Sequence, residues 1–453
     1  MKLTTKSIFY LHLLSALLFT NISFAQDTTK IVTAWLKQNA IPIKYIEAGK
    51  GFADLQPLKE ILKGVQVIGM GEATHGTQEF FKMKHRLVEF LVTQMGFTAF
   101  ALESSYSGCQ PINDYILTGK GDRAKALTGQ GYTAWDTEEF SAMLDWMKDY
   151  NQKLPDEKKI RFYGIDVLSF QEEGRGKVLT YMQKYIPEKA ATTDSLFRIL
   201  AKEDNNWPSR LNQSILQSTF MPLSELKSYF TVNKNKLVAS SSLKEWEQVD
   251  KYLEVMEQGL YVNVKDVPPA LAANKLDRDE YMAQNLLYIM ERERPGTKFM
   301  IWQHNYHISN RPDKKTLGYN LHQRLGTKYY GIGFECNEGI FMARELMPDG
   351  TWGDIKADTL VPVQKSIAWY LLQTGKKKLF INLRNTVSNP LVENWLETPI
   401  RFNVGIWLYR AAKENFDMDK VKDLYDGILF IQRSTLAHPT KNAKAMSAAR
   451  QGF

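Results

Sequence analysis

Only two cysteines, Cys109 and Cys336, occur among 453 residues, more than two hundred positions apart. A framework of several disulfides is therefore excluded, and whether these two thiols meet is left open by spacing alone. No stretch after residue 25 approaches the roughly 20 apolar residues of a membrane-crossing helix. No Gly-rich phosphate loop, dinucleotide fingerprint or G-x-S-x-G elbow is present. Basic residues are spread out apart from the short run Gly375–Lys378, which argues against a nucleic-acid partner. No internal repeat or low-complexity tract appears.

What is present begins with a leader. Lys2 and Lys6 precede an apolar core, "IFYLHLLSALLF", and "SFA" precedes Gln26. This is the pattern of a signal peptide over 1–25, so the chain is expected to be exported, periplasmic or secreted. Removal of the two leader lysines takes the formal charge from +8 to +6, modest for this length. The remaining 26–453 is long enough for one large domain with a substantial insertion.

Short apolar runs alternate with longer segments of helical period, the signature of an α/β fold with a mostly parallel sheet flanked by helices. "VQVIGM" (Val65–Met70), "FTAFALE" ending at Glu103, "IRFYGID" ending at Asp166, "KFMIWQHN", "YYGIGFE" ending at Glu335, "KLFINL" and "GILFIQ" read as strands. Helices are expected after the first of these, with Phe80, Met83, Leu87, Phe90 and Leu91 near one face, and around Glu138–Tyr150. From about 187 to 269 the text turns polar and helix-prone, which predicts a helical insertion; Trp207, Phe220 and Tyr229 favour a packed one.

The chemistry-bearing residues fall at strand ends. Glu72 and His75 follow the first strand, Glu103 closes the second, Asp166 the third, His304 and His307 follow the next, and Glu335 closes another. In parallel α/β folds the carboxyl ends of the strands line the ligand crevice, so residues scattered in sequence are expected to converge. Of seven histidines, one lies in the leader and three of the rest sit at these ends beside carboxylates. Imidazole can take a proton from water when a carboxylate fixes its tautomer, and Glu72 or Glu103 would supply that partner to His75. Gly69, Gly71 and Gly76 allow close backbone approach, and the start of the following helix offers N–H groups for an oxyanion. Lys84 would add positive charge there or lie in solvent, while Asp166 and Glu335 are candidates for the substrate side. Ser104, Ser105 and Ser107 beside Glu103 leave a serine nucleophile open, although water is the favoured one. Glu72, His75, His304 and His307 also form an N/O set for a divalent metal, and a histidine-lined aromatic pocket suits a haem or metal binder.

"GEATHGTQEF", "FALESSYSG", "WDTEEF" with "LDWMKDYN", "FYGID", "RDEYMAQNL", "WQHNYH" and "YGIGFE", in that order, resemble the erythromycin esterase family. The match runs from about Val65 to Glu335, with "YDGILFIQRSTLAHP" as a closing piece. The resemblance implies an α/β domain with a helical insertion, and hydrolysis of the lactone of macrolide antibiotics as a resistance activity, with no cofactor. Carried over, it implies His75 as the base, Glu72 and Glu103 as its acidic partners, and His304 and His307 as further catalytic residues. Lys84 stands where the family often has arginine, so the guanidinium fork is missing. The family's resistance enzymes act in the cytoplasm, whereas this chain carries an export signal, so the substrate is expected to be a small-molecule ester or lactone, not erythromycin by necessity.

Overall fold

The computed structural model describes residues 28–444 except 168–169, 207–211, 270, 347–351, 386, 404–407 and 410–415. Residues 1–25, expected from sequence to be a leader, and Trp207 lie outside the described residues.

The backbone of the fold is one large sheet. In chain order its strands are β1 (Ile41–Pro42), β2 (Val67–Met70), β3 (Ala99–Ser105), β4 (Arg161–Asp166), β5 (Phe299–Trp302), β6 (Tyr329–Leu346), β7 (Trp352–Leu360) and β8 (Lys378–Asn382). After β9 (Pro399–Asn403), β10 (Leu408–Tyr409) and β11 (Phe416–Lys420), β12 (Gly427–Ser434) returns to the sheet centre. The spatial order is β1-β8-β12-β6-β2-β5-β3-β4. From β12 to β4 every pairing is parallel, while β8 runs antiparallel to β12. This is the mostly parallel α/β sheet that the alternating apolar runs and helical segments predict.

Strands β2, β3 and β5 are buried at every residue. That is why they read as unbroken apolar runs: helices cover both faces, so no position is left for alternation. The helix Gln78–Met95 buries Phe80, Met83, Leu87, Phe90 and Leu91 against one face and stops at Gly96, whose φ of 73° supplies the left-handed cap.

The order also locates the crevice. From β2 the chain moves outward to β3 and β4, returns to insert β5 between β2 and β3, then places β6 on the other flank of β2. The carboxyl end of β2 is therefore a topological switch point, where the connections diverge and leave room for a ligand.

Beyond β4 the chain is helical: Glu172–Tyr185, Pro187–Asn206, Gln213–Val232, Lys234–Ser240 and Leu243–Asn263. These helices share a core of their own, with Phe220, Phe230, Leu253 and Leu260 buried and Tyr229 packed at its edge.

Two regions differ from the sequence reading. β6 does not end at Glu335 but runs on to Leu346 and pairs antiparallel with β7. Its second half, "CNEGIFMAREL", breaks the apolar run with polar residues, the text of a ribbon that need not be covered on both faces. A small sheet of β9 and β11 also went unread. Both cysteines are buried free thiols, which settles that they do not pair. No helix among the described residues is long and apolar enough to cross a membrane.

Candidate active site

The loop after β2 is shaped by its neighbours. Asn305, at the end of β5, receives Phe334 N–H on its amide oxygen, donates to Phe334 O at 2.8 Å, and gives its backbone N–H to Glu72 O at 2.9 Å. One residue, through its backbone and its side chain, thus fastens the loops after β2 and β5 to β6. A Cβ on Gly71 would collide with that amide, which is why the motif needs glycine there.

Glu72 is completely buried and has three partners. Its Oε1 binds His75 Nδ1, while Oε2 accepts from Lys84 Nζ at 2.8 Å and from Trp302 Nε1 at 2.9 Å. Lys84 has no exposed surface, and its ammonium lies 4.2 Å from the centre of the Trp302 ring. It is therefore neither solvated nor at the substrate side in this arrangement. Burial would raise the Glu72 carboxyl, but the charges of Lys84 and His75 outweigh that and hold it below its ordinary value. Burial lowers Lys84 to about 8, with Glu72 opposing the fall.

His75 is nearly buried, with the edge of Trp135 at 5.2 Å between ring centres and His304 at 5.2 Å. With Nδ1–H directed at Glu72, the tautomer places the lone pair on Nε2, the atom at which this ring can accept a proton.

The other two histidines have different partners. His304 caps a short helix: its Nδ1 accepts Tyr306 N–H at 3.2 Å and its Nε2 lies 3.1 Å from Ala73 O. Both nitrogens are used on backbone. Burial, then the neighbouring His75, drives it down to about 3, so it is neutral.

His307 sits between two acids, with Nδ1 2.9 Å from both Asp279 oxygens and Nε2 3.2 Å from Glu103 Oε1. Burial lowers it, as does Arg278, whose Nη1 lies 3.1 Å from Nε2; Asp279 and Glu103 overcome both and raise it to about 10, which favours the imidazolium at neutral pH. Glu103 also receives His304 N–H at 2.8 Å and Arg278 Nη2 at 3.0 Å. Despite burial, His307 and Arg278 hold it well below the carboxylate range.

Arg278 then grips Asp166, its Nε 2.9 Å from Oδ1 and its Nη2 on Oδ2, and Tyr132 O–H reaches the same oxygen at 2.9 Å. Asp166 is buried beneath these groups.

The structure therefore brings together Glu72, His75, Lys84, Glu103, His304 and His307, with Asp166 joined through Arg278. It does not bring in Glu335. Phe334 faces Lys84, so Glu335 points to the opposite face of β6, beside Asn403, where burial keeps its carboxyl well above the ordinary range. Ser104 donates to Gln130 O at 2.8 Å and Ser105 accepts Gly108 N–H; among the described residues neither is hydrogen bonded to an imidazole.

Arg278, Asp279, Trp302, Trp135 and Tyr132 were not singled out from sequence. Arg278 and Asp279 open a helix marked by the capping box of Asp277 and Glu280, a signal for a helix start but not for a site.

Among the described residues no group of three or more His, Cys, Asp and Glu is arranged to hold a metal ion. A divalent metal on Glu72, His75, His304 and His307 would require these side chains to leave the partners just described.

Known proteins bear on this geometry. The erythromycin esterase family model matches residues 92–434. A putative hydrolase, YbfO, of Bacillus subtilis (strain 168) is 24% identical over 435 residues, covering 88% of this chain and 90% of its own. Erythromycin esterase type II of Escherichia coli is 24% identical over 434 residues, covering 89% and 98%. A crystal structure of a succinoglycan biosynthesis protein superposes with a TM-score of 0.74 at 26% identity, covering 91% of this chain and 99% of that one. The chain belongs to the erythromycin esterase family, a family of hydrolases.

Proposed function

We propose that the protein hydrolyses a carboxylic ester or lactone by water that His75 activates, with the macrolactone of a macrolide as the first substrate class to test. One observation carries the reading. Of three clustered imidazoles, His75 is the one paired through Nδ1 with a buried carboxylate whose second oxygen is already held by a lysine and an indole, Lys84 and Trp302.

In this reading Nε2 accepts the proton of water as its oxygen attacks the ester carbonyl. The same proton then passes to the leaving alkoxide, so an acid and an alcohol are formed, or one hydroxy acid from a lactone. Glu72 fixes the tautomer and offsets the imidazolium charge. Lys84 and Trp302 hold its second oxygen and keep the carboxylate aimed. Glu103, Asp166, Arg278 and His307 form the rigid wall on which His304 and β5 are seated.

Lys84 keeps the charge of the family's arginine and loses the fork, which suffices for one oxygen of Glu72. Export to the periplasm or outside the cell is part of the proposal, on the strength of the leader, and would confront the enzyme with substrates outside the cytoplasm.

The test is incubation of the mature protein with erythromycin and a panel of esters and lactones, read by mass spectrometry. The reading expects a gain of one water on at least one compound, absent with His75→Ala. Hydrolysis that persists in that variant would remove His75 from the mechanism.

A further inference from the structure

The segment that leaves β12, Thr435–Thr440 ("TLAHPT"), supplies none of the groups above, yet it is fastened to the site from outside. Its backbone runs antiparallel to the loop that carries His75. Thr77 and Leu436 form a bridge, Gln78 N–H donates to Thr435 O at 2.9 Å, and Ala437 N–H donates to Gly76 O at 2.8 Å. Gly76 directly follows His75 and has φ of 68°, a left-handed conformation that side-chain-bearing residues rarely adopt.

The same residues hold a second turn. Glu138 N–H donates to His438 O at 2.8 Å, Thr440 N–H donates to Asp136 O at 3.1 Å, and Thr137 bridges Pro439. That turn carries Trp135, whose indole meets the His75 ring edge-on and donates to Glu103 O at 3.1 Å. One strap therefore grips both the peptide next to the imidazole and the ring packed against it.

Side chains clasp the strap in place. Thr435 gives its N–H and hydroxyl to Glu79 at 2.6 and 2.7 Å. His438 gives its N–H to Glu139 at 3.0 Å and sets Nδ1 2.7 Å from the same carboxylate, which also accepts from Gln78 Nε2 at 3.0 Å. Both clasps lie at the first turn of a helix, where a carboxylate is favoured by the helix dipole. The front of the loop is held by the contacts of Glu72 and by the His304 ring on Ala73 O, whereas the peptide after His75 is held at Gly76 O by the strap, so these bonds limit the conformers of that end.

The geometry points to the strap 435–440 as the element that positions His75, with Glu79 and His438 as positioning residues acting through the loop. Its effect on rate rests on the ester-hydrolase reading; its effect on the loop does not.

The test compares the mature wild type with the double variant Glu79→Ala/His438→Ala, both changes at the protein surface, and with Glu79→Gln, which keeps an acceptor for Thr435. Circular dichroism and Tm confirm that each is folded. Three readouts follow: hydrogen exchange of peptides spanning 70–80 and 132–138, carbethoxylation of His75 by diethyl pyrocarbonate, and kcat and KM on the compound hydrolysed.

For the double variant, exchange in both peptides is expected to rise about tenfold while the β5 peptide is unchanged. Carbethoxylation of His75 is expected to quicken, and kcat to fall about tenfold with KM within about twofold. Glu79→Gln is expected to stay close to wild type. Unchanged exchange in both peptides would overturn the inference, and so would faster exchange with an unchanged kcat. If the wild type turns over no ester, the hydrolase reading falls. Exchange and carbethoxylation then decide alone: faster in the double variant upholds the strap, equal to wild type overturns it.

Discussion

Two histidine–carboxylate pairs lie a few ångströms apart in this site and have opposite characters. In the His75–Glu72 pair the carboxylate is shared: one oxygen meets the imidazole, and the other is held by Lys84 and Trp302. In the His307 group the imidazole is shared, caught between Asp279 and Glu103, while Arg278 ties Glu103 to Asp166. An acid already neutralised by a cation can orient an imidazole through one nitrogen. A histidine enclosed by two acids is a fixed cation. The same residue types at similar strand ends thus give a base in one place and a structural ion in the other, and only the partners reveal which is which.

The comparison breaks most visibly in the rate. His75→Ala is expected to lower ester hydrolysis by about a thousandfold, the scale of a lost general base, with KM little changed. Steady-state kinetics with retained Tm check it; a loss below tenfold would place the base elsewhere.

The largest effect on stability is expected on the other pair. His307→Ala removes the cation between the buried Asp279 and Glu103, of which Glu103 keeps Arg278, and is expected to cost about 3–5 kcal/mol in denaturant unfolding. The pH dependence has a definite sign. The folded value, about 10, lies above the unfolded one, so the stabilisation is full below about 6.5 and is lost as pH rises through about 10. Asp279→Asn is expected to flatten that decline, as judged from unfolding curves at pH 6, 8 and 9.5.

A smaller effect sharpens the first pair. Lys84 is held near 8, so the rate is expected to fall above that pH as Glu72 loses its ammonium partner. Lys84→Arg, which stays charged, is expected to carry the alkaline limb upward by a unit or more while changing kcat at pH 7 by less than about tenfold. A limb unmoved by the substitution would show that Lys84 does not set it.

Much of this was legible in sequence as location. The buried strands announced themselves because both faces are covered, and the acid and imidazole positions fell at their ends because that is where a parallel sheet opens. The division of labour was not legible. Arg278 reaches Glu103 and Asp166 across 175 and 112 residues, and no periodicity reports such a contact. Lys84 read equally well as solvated or as part of the site, since one turn of helix decides between a core cation and a surface one. Glu335 read as a strand end like the others, but β6 continues past it and the alternation of the strand turns it to the far face. The β9 and β11 strands alternate in polarity, and Asn337–Gly339 interrupts the apolar text of β6 before its second half, so neither continued a run that could be read.

The most direct measurement is an NMR pH titration of the histidine ring carbons and nitrogens in the folded protein, residues 26–453, with assignments from single His→Gln variants. The account expects His307 to remain an imidazolium at pH 8 and His304 to remain neutral at pH 5, leaving His75 as the base of the cluster. A neutral His307 at pH 8, or a charged His304 at pH 5, would contradict the division between the two pairs.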